Sequence, residues 1–173
     1  MRLSGAALED HVADVVELLD RHGWVLAQDS DPDVKASPSG ARWYDVLVAL
    51  PGSPQRRATV AMREVWLPVA EDGFERSDYR YELLDPGRNI RRAWHRHDSE
   101  WFARRFDVLV HEHCENPIGE AACDHYAGFP VRDAFAGVEL LVDAWLDPDP
   151  PDCDALRCLE SGSPLTRPPE ARE

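Results

Sequence analysis

Tyr79-Arg80-Tyr81-Glu82-Leu83-Leu84-Asp85-Pro86-Gly87-Arg88-Asn89-Ile90-Arg91-Arg92-Ala93-Trp94-His95-Arg96-His97 is the stretch whose reading decides the fold. Tyr79, Tyr81 and Leu83 alternate with Arg80, Glu82 and Leu84, the two-residue period of a strand whose faces differ. Asp85-Pro86-Gly87 is a strong turn signal: Asp bonds its own backbone, Pro fixes φ, and Gly accepts the left-handed region. Ile90 to His97 then returns as a second strand, so the stretch predicts an antiparallel hairpin.

Working outward, Arg57 to Val69 is rich in strand formers, while Glu64 and Pro68 predict that it bends, frays or lies at an edge. Before it, Tyr44, Val46, Val48 and Leu50 alternate with Trp43, Asp45, Leu47 and Ala49. Turns are expected at Pro51-Gly52-Ser53-Pro54 and Ala70-Glu71-Asp72-Gly73, and an exposed loop from Gln28 to Gly40. Downstream, Phe106 to His113 predicts a further strand, with Asp107, Leu109, His111 and His113 on one face, and Asn116 to Gly128 reads as a loop. Helical spacing appears at both ends. Leu8, Val12, Val15, Val16 and Leu19 form one stripe that Gly23 terminates; Val131, Ala134, Phe135, Val138, Leu141, Val142 and Trp145 form another, with Pro130 near its start. The expectation is an α+β domain over residues 1–147, a mostly antiparallel sheet of about five strands packed with an N-terminal and a C-terminal helix. Residues 148–173, dominated by Pro, Asp and Glu, predict a mostly disordered acidic tail.

The chain has 173 residues, 43% of them hydrophobic, and a formal net charge of −14. That length and composition suit one domain with a real core. The negative charge argues against indiscriminate binding to nucleic acid or membrane, both polyanionic. Residues 88–105 are the exception: six arginines stand there against Asp98 and Glu100, a basic island of formal charge +4. No apolar run reaches the roughly 18 residues that would span a bilayer, and the start lacks a signal-peptide pattern, so a cytoplasmic protein is expected. Cys114, Cys123, Cys153 and Cys158 are then expected to be reduced.

Five of the seven histidines lie between Tyr79 and His125. Alternate residues of a strand share a face, so His95 and His97 point one way together, as do His111 and His113. Whether the two pairs meet depends on register, and a one-residue slip reverses the answer. If they meet, two chemistries compete. In one, His95, His97, His111 and His113 act as general acid and base, since an imidazole titrates near neutrality. Arg92, Arg96, Arg104 and Arg105 would then hold phosphate, and Trp94, Trp101, Tyr79 and Tyr81 offer faces for bases, although on a pleated surface the two tyrosines and Trp94 read first as core. That arrangement suits metal-free RNA cleavage, with no cofactor. In the other, the same four histidines with Asp107 bind zinc or another transition metal. A third possibility is a non-catalytic interaction domain whose acidic surface engages a basic protein. His11, on the polar side of the first helix, and His22, near its C-terminus, read as structural or solvent-facing.

The order of these motifs resembles the TumE-type toxins of bacterial toxin–antitoxin pairs. The likeness rests on Tyr79-Arg80-Tyr81, Asp85, Ile90-Arg91-Arg92, the Trp94 to Asp98 cluster and the strand ending His111-Glu112-His113, and covers about residues 79–113. It implies a growth-inhibiting protein acting on RNA and held by a cognate antitoxin.

Overall fold

The computed structural model describes residues 1–51, 57–69, 73–96, 110–119, 121–125 and 130–147, with the backbone alone for 111 and 121–125. In chain order the elements are β1 (Arg2–Ser4), α1 (Gly5–Arg21), β2 (Val25–Leu26), β3 (Lys35–Ala36), β4 (Arg42–Ala49), β5 (Thr59–Val69), β6 (Gly73–Asp85), β7 (Ile90–Arg96), β8 (Val110–Glu115), β9 (Ala121–His125) and α2 (Ala134–Leu146). Each helix begins at a side-chain cap that satisfies a backbone N–H the first turn leaves open. Ser4 Oγ accepts from Ala7 N at 3.2 Å, and Asp133 Oδ1 from Ala136 N at 2.9 Å. α1 ends at Gly23, whose φ of 72° is the left-handed conformation that glycine takes without strain.

The strands form one sheet in the order β2-β4-β5-β6-β7-β8-β9, with β1 on β6 and β3 on β4. Every described pairing is antiparallel. The α+β class and the antiparallel sheet are as expected, but the sheet has nine strands where about five were expected. β1, β2 and β3 hold only two or three residues, too few for alternation to register. β9 falls in the stretch read as a loop: Gly119, with φ of 87°, turns the chain, and the outer edge of β8 supplies the backbone partners that the weak strand formers of residues 121–125 do not announce. α2 begins at Ala134, later than its apolar spacing suggests: Asp133, in extended conformation, caps its first turn, and Val131, before the cap, gives its N–H to the Tyr79 hydroxyl at 2.7 Å.

Both helices cover one face of the sheet. Val12, Val15 and Leu19 of α1 and Val138 and Leu141 of α2 pack on Tyr44, Val46, Val60, Met62, Tyr81, Leu83 and Trp94. Burying each large apolar side chain contributes about 1.5–3 kcal/mol, which is what holds a marginal helix in place. The opposite face carries Arg63, Arg80, Glu82, Arg91, Ala93 and His95.

One irregularity changes which residues reach the core. β6 pairs Asp78 with Val65 but Arg76 with Trp66, so Ser77 is an extra residue, a β-bulge. The bulge shifts the phase of the strand. Arg76, which strict alternation would place beside Arg80 on the open face, is carried under the helices with Tyr79 and Tyr81.

Candidate functional site

Two clusters of ionisable side chains stand on opposite faces of the sheet. The first is buried. Glu64 is fully inaccessible, and its carboxylate accepts from His11 Nε2 at 3.2 Å, from Arg76 Nη1 at 2.8 Å and from the Tyr81 hydroxyl. Arg76 also donates to Tyr81 Oη at 2.7 Å and to the carbonyls of Val131 and, at 2.8 Å, Arg132. Burial pushes the Glu64 carboxyl up, but the hydrogen bond from His11, the charge of Arg76 and the Tyr81 hydroxyl outweigh it and hold the group below its ordinary value. Burial, followed by the Glu64 charge, drives the Tyr44 and Tyr81 hydroxyls well above theirs, so both keep their protons. The Tyr44 hydroxyl and Trp66 Nε1, buried beside this network, make no hydrogen bond among the described residues. His11 is therefore a core residue, 6% exposed, not a solvent-facing one. Its ring meets Phe135 of α2 edge-on at 5.4 Å, so one imidazole ties α1, the sheet and α2 together. Glu64 is likewise interior, on a strand with neighbours on both sides, not at an edge.

The second cluster lies on the face that the helices leave open, although His95 is only 7% exposed there and Ala93 is buried, and register builds it. His95 is opposite His111 and Ala93 opposite His113, so positions 95, 111 and 113 share one face of β7 and β8. The His95 and His113 ring centroids are 5.0 Å apart, with the planes tilted by 55°. Glu82 Oε2 is 3.9 Å from His95 Nε2 and 3.0 Å from Arg91 Nη2, and Arg91 reaches Glu115 on its other side. Partial burial pushes the Glu115 carboxyl up, but the N–H of Gly119 and the Arg91 guanidinium hold it below its usual range. The row Asp45, Arg63, Arg80, His95, His111 then runs straight across five strands, each residue the register partner of the next. Arg63 is paired with Asp45 at 3.1 Å, whereas Arg80 is exposed and makes no ion pair among the described residues.

No protein-family model, curated protein or solved structure matches the chain. What the open face can do follows from its own geometry.

The expected site residues separate into three groups. His95, His111 and His113 are brought together. Arg92 and Arg96 stand on the other face of β7: Arg92 is buried, donates to Glu112 Oε1 at 2.5 Å and lies over the Trp94 ring at 5.5 Å, and Arg96 is opposite Tyr79. His97, Arg104, Arg105, Asp107 and Trp101 lie outside the described residues, as does the acidic tail of residues 148–173. Arg88, counted in the basic island, is a structural tie: it pairs with Asp85, donates to the Trp145 carbonyl at 2.9 Å and stacks over that ring at 4.4 Å. Tyr79 and Tyr81 are core residues, stacked on each other at 5.0 Å.

Arg80, Glu82, Arg91 and Glu115 join the site although none was expected as a site residue; Arg80 and Arg91 stood out only within the motif order and, for Arg91, the basic island. Their signal was the same hairpin alternation that placed them opposite the tyrosines, and it needed the register across β7 and β8 to acquire meaning. For metal, Glu112 is the register partner of His125 and Cys114 that of Cys123, so those ligand types meet by position on the face of Trp94. Among the described side chains, no group of three His, Cys, Asp or Glu is arranged to hold an ion. Cys114 is buried, its thiol 3.6 Å from Glu112 Oε1. No described helix is long and apolar enough to cross a membrane.

Proposed function

We propose that this chain is the toxin-like member of a bacterial toxin–antitoxin pair and that it cleaves RNA on the open face of its sheet, using His95, His111 and His113 for proton transfer. The observation that carries the reading is the register, which sets these three positions on one face with the His95 and His113 rings in contact at 5.0 Å. Two adjacent imidazoles can divide the roles that hydrolysis of a ribose phosphodiester needs. One removes the 2′-hydroxyl proton as that oxygen attacks phosphorus; the other gives a proton to the departing 5′-oxygen, leaving a 2′,3′-cyclic phosphate and a free 5′-hydroxyl. Glu82, 3.9 Å from His95, places a negative charge beside that ring, where it favours the protonated imidazole. Arg80, exposed and in register beside His95, is placed to hold a phosphate, a part first assigned to Arg92, Arg96, Arg104 and Arg105. The motif order shared with TumE-type toxins supports the same reading and brings with it a cognate antitoxin as partner.

The test is incubation of the purified protein with end-labelled single-stranded RNA in excess chelator, with product ends identified. Cleavage giving cyclic phosphate, reduced by roughly 10²-fold or more in a His95→Ala/His113→Ala variant that circular dichroism shows to be folded at the assay temperature, is the expected result. Failure of the wild-type protein to cut RNA overturns the proposal. Cleavage abolished by chelator, together with stoichiometric zinc, iron or manganese lost in the double variant, replaces it with metal-dependent chemistry on the same histidines.

A further inference from the structure

The molecule has a third feature, remote from both polar clusters. A groove of about 930 Å³ lies between α1 and the segment that carries β2 and residues 32–34. Val12, Val16, Trp24, Val25, Leu26 and Val34 give it an apolar lining, and Glu9, Glu17, Asp20 and Asp33 rim it, with no lysine or arginine among the lining residues. Val25 is 66% exposed and Leu26 36%, and they form an end strand of the sheet, with β4 on one side and no described strand on the other. Large apolar side chains gathered at an open groove mark an interaction site more often than chance exposure.

We infer that this groove is the docking site for a basic amphipathic helix of a partner protein. Its shape and its charge both select that occupant. Glu9, Ala13, Val16, Glu17 and Asp20 recur at helical spacing, so the rim follows α1 from residue 9 to residue 20, a length of roughly 16 Å at 1.5 Å per residue, or three turns of a partner helix. Such a helix would lay apolar residues on Val16, Trp24, Val25 and Val34 and set lysines or arginines against the four acids. Arg21 reaches Glu17 at only 4.0 Å with both side chains largely exposed, and Lys35, next to Val34, pairs with Asp31 at 3.4 Å outside the rim, so neither neutralises much of it. The chain's own C-terminal segment is the wrong occupant. Residues 148–173 hold six acidic residues and three arginines, the same sign as the rim. This inference does not rest on the histidine face: the groove involves α1 and β2, not β7 or β8.

A fluorescent Leu/Lys amphipathic peptide of about four helical turns is the probe, titrated into the full chain and followed by anisotropy, with a Leu/Glu peptide of identical apolar pattern as its counterpart. The basic peptide is expected to bind and the acidic one to fail. Glu9→Lys/Asp20→Lys, at exposed positions, is expected to weaken binding roughly tenfold or more, and Val25→Asp to weaken it through the apolar lining. Glu139→Lys/Asp143→Lys on α2 makes the same change in net charge away from the groove and is expected to leave binding within about twofold. Circular dichroism of each variant reports that the fold is kept. Equal weakening by the two double variants would mean attraction to an acidic body and not to this groove. That result overturns the inference, as do equal affinities for the two peptides or no binding of either.

Discussion

Beneath the helices, Glu64, His11 and Arg76 meet with Tyr81 in a closed set of hydrogen bonds; on the open face, Glu82, His95 and Arg91 meet in a looser one. The ingredients are the same, one glutamate, one histidine and one arginine. His11 and His95 are both more than nine-tenths buried, but His11 is 3.2 Å from a carboxylate that is itself fully buried, whereas His95 is 3.9 Å from the partly accessible Glu82 and has a second imidazole, His113, beside it. A buried charge must be compensated in full, because each unpaired ion in a low-dielectric interior costs several kcal/mol. A group committed to that task has no proton to spare for a substrate. The comparison teaches that residue type says little about role here; what separates structure from chemistry is how much of a group's hydrogen-bonding capacity the fold has already used.

The largest effect should come from breaking the closed set. Glu64→Leu leaves the Arg76 guanidinium, 7% exposed, without its carboxylate, and the expected loss is about 3–5 kcal/mol in urea unfolding. His95→Ala, whose nearest carboxylate is 3.9 Å away, should cost less, about 1–2 kcal/mol. Equal losses would erase the distinction between the two faces. The same contrast has a pH signature. Because the folded Glu64 carboxyl lies below its unfolded value of about 4.3, its contribution is fully present above that value and is lost as pH falls through the folded one. Asp133 adds to the slope with the same sign: partial burial raises it, but the Ala136 N–H and Arg132 hold it low. Glu64→Gln should therefore flatten the fall in stability below about pH 4, measured as urea midpoint against pH.

A smaller effect tests how rigid the buried side is. A Cβ added at Gly137 of α2 would stand 2.7 Å from both Cδ2 and Cε2 of Tyr81. Tyr81 is stacked on Tyr79 at 5.0 Å and held at its hydroxyl by Arg76 and Glu64, so the ring has nowhere to retreat. Overpacking of this kind costs about 1–3 kcal/mol, more than the gain of up to about 1 kcal/mol that alanine brings to a helix interior. Gly137→Ala should lower the urea midpoint. An unchanged or raised midpoint would mean that the Tyr81 network yields, and that its closure is less binding than its geometry implies.

The hairpin, the antiparallel sheet and both helices were legible because each depends on local period: Tyr79-Arg80-Tyr81 alternates, Asp85-Pro86-Gly87 turns, and Leu8 to Leu19 repeats at helical spacing. The buried network was not legible, for a reason that can be located at Ser77. One inserted residue moved Arg76 to the helix side, and no pattern in the sequence distinguishes it from Arg80 four positions on. Without Arg76 in view, Glu64 read as a sign of a bend, a frayed end or an edge, and His11 as structural or solvent-facing. The open-face site was half legible. The paired histidines stood out, but their meeting depended on the β7–β8 register, set by pairing across a connection that carries no such signal.

Arg76 and Arg80 reduce the comparison to two residues of one type on one strand, and the smallest predicted effect falls on the second. Arg76 makes four hydrogen bonds to the Glu64 carboxylate, the Tyr81 hydroxyl and two backbone carbonyls; Arg80 is exposed and makes no ion pair among the described residues. An exposed arginine with no ion pair among the described residues stabilises little, so Arg80→Ala should leave unfolding within about 0.5 kcal/mol of wild type. Its charge is placed to act on a ligand. For a labelled single-stranded RNA bound on this face, one lost phosphate contact lowers the slope of log affinity against log salt by about 0.7. Anisotropy titrations over a range of salt read that slope directly. A slope that stays the same in Arg80→Ala would mean that RNA, if it binds, does not lie along the row from Arg63 to His111, and the open face would lose its claim to be where the chemistry occurs.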